Sequence, residues 1–216
     1  DYGGGSGCGS LFVHELRWPG KYGNTLYTCD WGRSEIYLHN LPRSGATFTA
    51  HQETFLKVPR PTDLDVDGSG RMYVASWKNG KFNFSGPNVV FVVQVTPKGF
   101  VPKPFPVLAD ESDAQLVDHL ASPSAVYRLH SQMELLRRGA GRRRMRIDLV
   151  TRLAADTKAA SHARAAAVFT LGQFDDPGVV SRLLQLAEPG GAREFALRAL
   201  TDRQGRLKDV PTAPIV

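Results

Sequence analysis

The sequence is poor in several features that define common classes of protein. Only two of its 216 residues are cysteines, Cys8 and Cys29, which excludes a cysteine-based zinc site and a framework of several disulfides. The two cysteines allow one bridge at most, and a bridge and two free thiols fit the sequence equally well. No run approaches the roughly 18 apolar residues of a membrane span, and the chain does not open with the pattern of a signal peptide.

Several chemical motifs are also missing. The sequence has no P-loop, dinucleotide fingerprint or nucleophile elbow. It has no Cys-x-x-Cys-His run either, so no haem can be attached covalently to this chain. We therefore expect no cofactor in the chain itself.

Composition differs between the two halves of the chain. Residues 1–110 hold 16 of the 20 aromatic residues and 14 of the 21 glycines but only 4 alanines, whereas residues 111–216 hold 17 alanines. Sheets favour aromatic and β-branched residues, and helices favour alanine and leucine. We therefore expect a segregated α+β protein, with a β domain over 1–108 and a helical domain with an irregular C-terminal tail over 109–216.

Short strand-like runs separated by turn residues fill the first domain. Two runs bring specific expectations: 46–55 should point Phe48 and Phe55 inward, and 89–95, the most apolar run, should be buried on both faces. The Asp67–Gly70 segment predicts a tight turn. The strands are predicted at 25–30, 35–39, 46–55, 62–67, 71–76 and 89–95.

A weak internal repeat relates Leu26–Trp31 to Met72–Trp77, 46 residues later. A period of about 40–50 residues with four strands per unit is typical of a β-propeller blade. The repeat therefore predicts a partial propeller of about two blades. Two blades alone would leave sheet edges unpaired, and open edges favour association. A closed propeller has four to eight blades, so we expect the remaining blades to lie upstream of Asp1. A small complete β domain is the alternative.

The run Asp63-x-Asp65-x-Asp67-Gly68 imitates the opening of an EF-hand calcium loop. That loop needs a bidentate glutamate at its twelfth position, which is Val74 here. Structural turn aspartates are the better interpretation, and no metal site is predicted.

Three segments of the second domain share the pattern Arg-x-x-(Ala/Ser)-x-x-x-Leu, beginning at Arg128, Arg164 and Arg193. This spacing places the small residue and the leucine on one helix face. Amphipathic segments lie between the copies, at 147–153 and 179–186. The arrangement resembles HEAT-type repeats, in which helix pairs stack into a solenoid and commonly bind proteins. A generic helical bundle is the alternative.

Six arginines cluster around two glycines in the second domain. A solvated helix end or a protein contact explains them better than nucleic acid, because no aromatic residues are interleaved and no known nucleic-acid module is present. The cluster consists of Arg137, Arg138, Arg142, Arg143, Arg144 and Arg146.

A set of motifs in the first domain resembles the last blades of sorbosone/glucose-dehydrogenase-like propellers. The helix end at Leu135–Gly139 strengthens the likeness to the PVC-type haem-binding family, whose members join such a propeller to HEAT-like helices and a c-type cytochrome domain. The resemblance covers nearly the whole chain. It rests on Gly7–Gly9, Tyr22–Arg33, Gly45–Phe48, Arg60–Asp63, Asp67–Val74 and Ser76–Trp77.

The resemblance implies a fragment of an exported bacterial protein, periplasmic or otherwise extracytoplasmic. Its parent would oxidise a sugar or alcohol CH–OH group, with a quinone cofactor and a c-type haem as possible electron carriers. The fragment alone would be inactive. Its partners would be the remaining blades, a cytochrome domain and a protein bound to the helical repeats; nucleic acid and a transmembrane segment are not expected. A non-catalytic protein-binding module on a HEAT-repeat scaffold is the alternative.

Six residues are candidates for binding a ligand, because propeller loops at one end of the strands line a central site. No catalytic residue is assigned, since none of the histidines in the β domain has an obvious carboxylate partner in sequence. Alternatively, the acidic and basic residues pair and the tryptophans pack between sheets. The candidates are Asp30, Trp31, Arg33, Asp63, Ser76 and Trp77. Export would also preserve a disulfide between Cys8 and Cys29.

Overall fold

The computed structural model describes residues 5–15, 17–77, 89–188 and 192–210. The chain divides into two compact units, 1–105 and 106–216. The described strands lie in the first unit and the described α-helices in the second, so the expected segregated α+β class is confirmed. The boundary between the units lies close to the predicted 108/109.

The first unit contains three antiparallel sheets among its described residues. The largest has the strand order β1-β2-β3-β6, another has the order β7-β8-β9, and β4 and β5 form a small hairpin. The repeat strands β2 and β8 are each the second strand of their sheet. The strands are β1 Gly7–His14, β2 Asn24–Asp30, β3 Glu35–Asn40, β4 Arg43–Ser44, β5 Thr47–Phe48, β6 His51–Lys57, β7 Pro61–Val66, β8 Met72–Trp77 and β9 Val90–Val95.

The core of the first unit lies between the two larger sheets. Period-2 alternation gives β8 one buried face, formed by Met72, Val74 and Ser76. Tyr27 and Ile36 are fully buried in the facing sheet and belong to the same cluster as Met72 and Val74. The two sheets therefore pack face to face, each contributing one apolar face.

Two expectations about burial in this unit are wrong. Phe48 is 57% exposed, because the run 46–55 is divided between the β4–β5 hairpin and β6. Phe55 does pack on the core, with its ring centroid 4.9 Å from that of Tyr27. The segment 89–95 is not buried on both faces, since Val90 and Val92 are 64% and 66% exposed. Only the other face of β9 reaches the core, through Val93 and Val95.

The tight turn after β7 is confirmed. Asp67 Oδ1 accepts hydrogen bonds from the backbone N–H groups of Ser69 and Arg71 at 2.8 and 2.9 Å, and Gly70 takes the φ of +85° that favours glycine. Although burial would raise the pKa of Asp67, these hydrogen bonds hold it below its ordinary value. The aspartates of this run thus act in the turn and strand, and the described residues contain no cluster of three metal-ligating side chains.

The described part of the second unit contains six α-helices in three consecutive pairs, α1/α2, α3/α4 and α5/α6. The first helices of the pairs contact one another in the order α1, α3, α5, and the second helices in the order α2, α4, α6. No helix in the described ranges has the length and hydrophobicity needed to cross a bilayer. The helices are α1 Asp113–Leu120, α2 Ala125–Arg137, α3 Arg143–Ala155, α4 Ser161–Gln173, α5 Gly178–Leu186 and α6 Arg193–Thr201.

The repeated pattern accounts for the packing of the second helices. Its small residue and its leucine are buried in all three copies: Ser131 and Leu135, Ala167 and Leu171, and Ala196 and Leu200. The arginine has a role that the pattern did not reveal. Arg128 Nη1 donates to two carbonyls of the loop before α2, at 2.7 and 2.9 Å, and Arg164 Nε donates to Ala154 O at the end of α3, at 3.2 Å.

Candidate functional site

The structure brings the two repeat tryptophans together at the ends of β2 and β8. The ring centroids of Trp31 and Trp77 lie 6.2 Å apart, with an interplanar angle of 86°. Arg60 places its guanidinium 4.4 Å from the centre of the Trp31 ring, an arrangement that attracts through the quadrupole of the ring. We call Trp31, Arg60 and Trp77 the Trp–Arg cluster.

Hydrogen bonds hold the Trp–Arg cluster in place. Arg60 Nη1 donates to the carbonyls of Trp31 and Gly32 at 2.9 and 2.8 Å. The backbone N–H of Trp77 donates to Arg60 O at 3.2 Å. Arg60 was not among the sequence candidates. Nothing in the sequence marks its φ of +47°, which is rare for a residue with a side chain. The cluster therefore joins the ends of the two sheets.

Asp30 and Arg33 pair with each other, as in the structural alternative. Asp30 is 8% exposed, and its Oδ1 accepts the backbone N–H groups of Ser6 and Arg33, both at 2.9 Å. Arg33 Nε lies 3.9 Å from Asp30 Oδ2. The carboxylate stabilises the turn after β2, which commits its acceptors to the backbone.

The remaining two candidates lie on opposite faces of their sheet. Asp63 pairs with Ala75 in the ladder and is exposed, whereas Ser76, the next residue along β8, faces the core. Asp63 Oδ1 accepts the N–H of Leu64 at 2.9 Å. Ser76 Oγ is buried and has no hydrogen-bond partner among the described residues. The predicted set of six therefore does not converge on one groove.

The most buried histidine of this unit also has a packing role. His39 is 7% exposed, and burial lowers its pKa. Its Nε2 lies 2.8 Å from Thr28 Oγ1 on the neighbouring strand. A neutral imidazole in a cross-strand hydrogen bond fits a packing role for His39.

A further concave feature of the first unit is an apolar cleft of about 260 Å³. Trp18, Tyr22 and Phe55 form its aromatic wall, and Lys98 stands at its edge. Trp18 donates its indole N–H to Gly70 O at 2.8 Å, so the ring presents only apolar surface. The described residues that line the cleft include no aspartate, glutamate or histidine.

Cys8 and Cys29 lie beside each other on adjacent strands, and both are free thiols in the structure. The ladder between β1 and β2 shifts register between Gly7 and Ser10, which leaves Cys8 next to the position facing Cys29. Cys8 Sγ donates to Pro61 O at 3.0 Å. Burial raises the pKa of the Cys29 thiol to about 12.

We expect iodoacetamide at mildly alkaline pH to modify Cys8 at least about 100-fold faster than Cys29, because the thiolate is the reactive form and Cys29 holds its proton. Mass spectrometry of peptides from the folded protein measures both rates, and the unfolded protein, in which both thiols react, serves as the control. Equal rates in the folded protein would contradict this expectation. Protection of both residues until a reductant is added would instead demonstrate a disulfide.

The chain matches no family model, no curated protein and no solved structure among those with which it was compared. The arrangement of its own residues therefore carries the functional argument.

Proposed function

We propose that the chain is the propeller-and-helix portion of an exported sugar or alcohol dehydrogenase-like protein. In this proposal the first unit supplies two neighbouring blades of a larger β-propeller, and the second unit is a short HEAT-like solenoid. The portion has a scaffolding role and no catalysis of its own. Oxidation of the CH–OH group belongs to the rest of the parent protein.

One observation carries the proposal for the first unit. Its two larger sheets are consecutive antiparallel meanders that pack face to face, and their second strands end at the paired Trp31 and Trp77. Adjacent blades of a propeller are expected to pack in this way. The outer face of the second sheet presents Val90 and Val92, in register with Trp77 and Ala75. This apolar strip on β9 shares its face with the exposed Asp63 and Asp65 of β7, and in the proposal it provides the packing surface for a further blade.

The contacts between helices support the proposal for the second unit. Each helix pair contacts the next through both its first and its second helix, which is the contact pattern of a stacked repeat array. Burial of Ala167 and Leu171, and of their counterparts in α2 and α6, gives each layer the same seam.

The described residues of the candidate site do not fit a quinone cofactor or a haem. Asp30 is committed to backbone N–H groups, Ser76 lies inside the sheet–sheet core, and Arg60 stands over the Trp31 ring. The sequence also lacks a haem-attachment motif. We therefore assign both groups to the remainder of the parent protein and derive no catalytic step in this chain.

The proposal is tested with the product of the complete reading frame that contains residues 1–216. We expect this product, supplied with a quinone cofactor, to reduce an artificial electron acceptor when given a panel of aldoses and alcohols. Residues 1–216 alone serve as the control and should give no turnover. No turnover by the complete product across the panel, or a reading frame that encodes no further blade-like strands, would contradict the proposal and favour a non-catalytic binding module.

A further inference from the structure

The second unit contains a cleft of about 530 Å³, which is in the range of small-molecule sites. It is lined by the start of α1, by the residue that follows α2 and by one face of α3. Four arginines and two carboxylates lie in its wall: Arg138, Arg142, Arg146, Arg152, Glu111 and Asp113. The cleft lies wholly within the second unit and does not depend on the proposed function.

The two carboxylates of the cleft already have cationic or histidine partners. Asp113 lies 2.6 Å from Arg138 Nη1 and 3.7 Å from Arg146 Nη1. Glu111 Oε2 faces His119 Nε2 at 2.8 Å. The side chains of Arg138 and Arg146 are 19% and 3% exposed, so they form the floor of the cleft.

The other two arginines of the cleft are Arg142 and Arg152. Both are exposed, and in the part of the chain that the structure describes no ion pair or hydrogen bond engages either guanidinium. Arg142 immediately precedes α3 and Arg152 lies within it, ten residues later, so about 15 Å of helical rise separates their backbone positions. Met145, which is 44% exposed, and the half-buried Leu149 line the cleft between them. Arg142 and the adjoining face of α3 therefore present a cation, two apolar side chains and a second cation in a row.

We propose that this cleft binds an elongated dianion, a small molecule with an acidic group at each end and an apolar spacer between them. One acidic group pairs with Arg142 and the other with Arg152, since guanidinium binds carboxylate in a bidentate manner. The spacer covers Met145 and Leu149 and buries their exposed apolar surface. None of the described residues that line the cleft is aromatic, so they offer no surface for base stacking, which disfavours a nucleic-acid strand.

The test compares three probes by isothermal titration calorimetry on the full chain. Sebacate has two carboxylates and an apolar spacer, decanoate has the same length with one carboxylate, and succinate has two carboxylates without the spacer. We expect sebacate to bind at least about tenfold more tightly than either control, because each comparison removes a charge-assisted contact or the apolar contact. Equal affinities for sebacate and decanoate would overturn the proposal.

Variants at the start of α3 and within it test which residues give sebacate its higher affinity. Arg142→Gln and Arg152→Gln should each abolish the advantage of sebacate over decanoate. Arg144→Gln is the matched control, because Arg144 is an exposed arginine on the same helix that does not line the cleft, and it should keep the advantage. An equal loss in all three variants would show a general charge effect and overturn the site. Thermal melting verifies folding, and both variants should melt like the unchanged chain, since neither guanidinium makes a described hydrogen bond or ion pair.

Discussion

Replacing Arg146 with methionine is expected to lower the free energy of unfolding of the second unit by about 3–5 kcal/mol. The guanidinium is buried and donates to the carbonyls of Arg138, Gly139 and Gly141, at 2.8 Å to the first and the last. Methionine preserves much of the apolar volume but supplies no donor. Three carbonyls would therefore lose a partner at the corner between α2 and α3, and Asp113 would lose one of its two nearby cations.

The matched control for this prediction is Arg144→Met. Arg144 is exposed on the same helix, so its replacement should change stability by no more than about 0.5 kcal/mol. Urea unfolding followed by far-ultraviolet circular dichroism reports the helical unit for both variants. A cost for Arg146→Met as small as that for Arg144→Met would show that the corner does not depend on the buried guanidinium.

The burial of this arginine corrects the sequence prediction for two members of the arginine cluster. The sequence predicts a solvated helix end or a protein contact, and Arg137, Arg142 and Arg144 are indeed exposed. Arg138 and Arg146 instead satisfy backbone carbonyls and Asp113 within the unit. The last carbonyls of a helix lack intrahelical partners, and a guanidinium can supply several donors at once. Six neighbouring arginines look alike in sequence. Which of them is buried depends on the approach of α1, whose residues are distant in the chain.

Local sequence patterns predicted the helices and strands themselves better than they predicted which surfaces pack against them. Alternation located β7 and β8, and the spacing of small residues and leucines located the buried face of α2, α4 and α6. The same local information failed at Phe48 and Val92, because apolarity shows that a residue can be buried but not whether a partner surface is present. The first helix, α1, was not predicted as a separate element.

The sequence predicted the candidate site only in part, again because a local pattern does not show which residues come together in the fold. The repeat correctly marked Trp31 and Trp77 as equivalent strand ends, and the structure places them in contact. It could not show that Asp63 and Ser76 lie on opposite faces. A register shift between Pro61 and Asp63 sets which residues of β7 face the core, and such an irregularity depends on packing with neighbouring strands.

Replacing Gly9 with alanine is expected to destabilise the first unit by about 1–3 kcal/mol, the usual cost of overpacking. A Cβ at this position would lie 2.5 Å from Asp63 Cα and 2.8 Å from Thr62 O. Both atoms belong to the backbone of β7, so relief requires the two sheets to separate rather than one side chain to turn. The absence of a side chain thus lets β1 lie against β7.

Gly7→Ala provides the matched control for this last prediction, because a Cβ at Gly7 would meet no atom within 4 Å. Both substitutions add one methyl group to β1 and reduce the freedom of the unfolded chain equally, so the difference between them isolates the contact with β7. Tryptophan fluorescence during urea unfolding measures this difference, since Trp18 is buried in the core between the sheets. Equal stabilities of the two variants would show that β1 can move away from β7 at this position without loss, and that the close approach at Gly9 does not set the spacing of the two sheets.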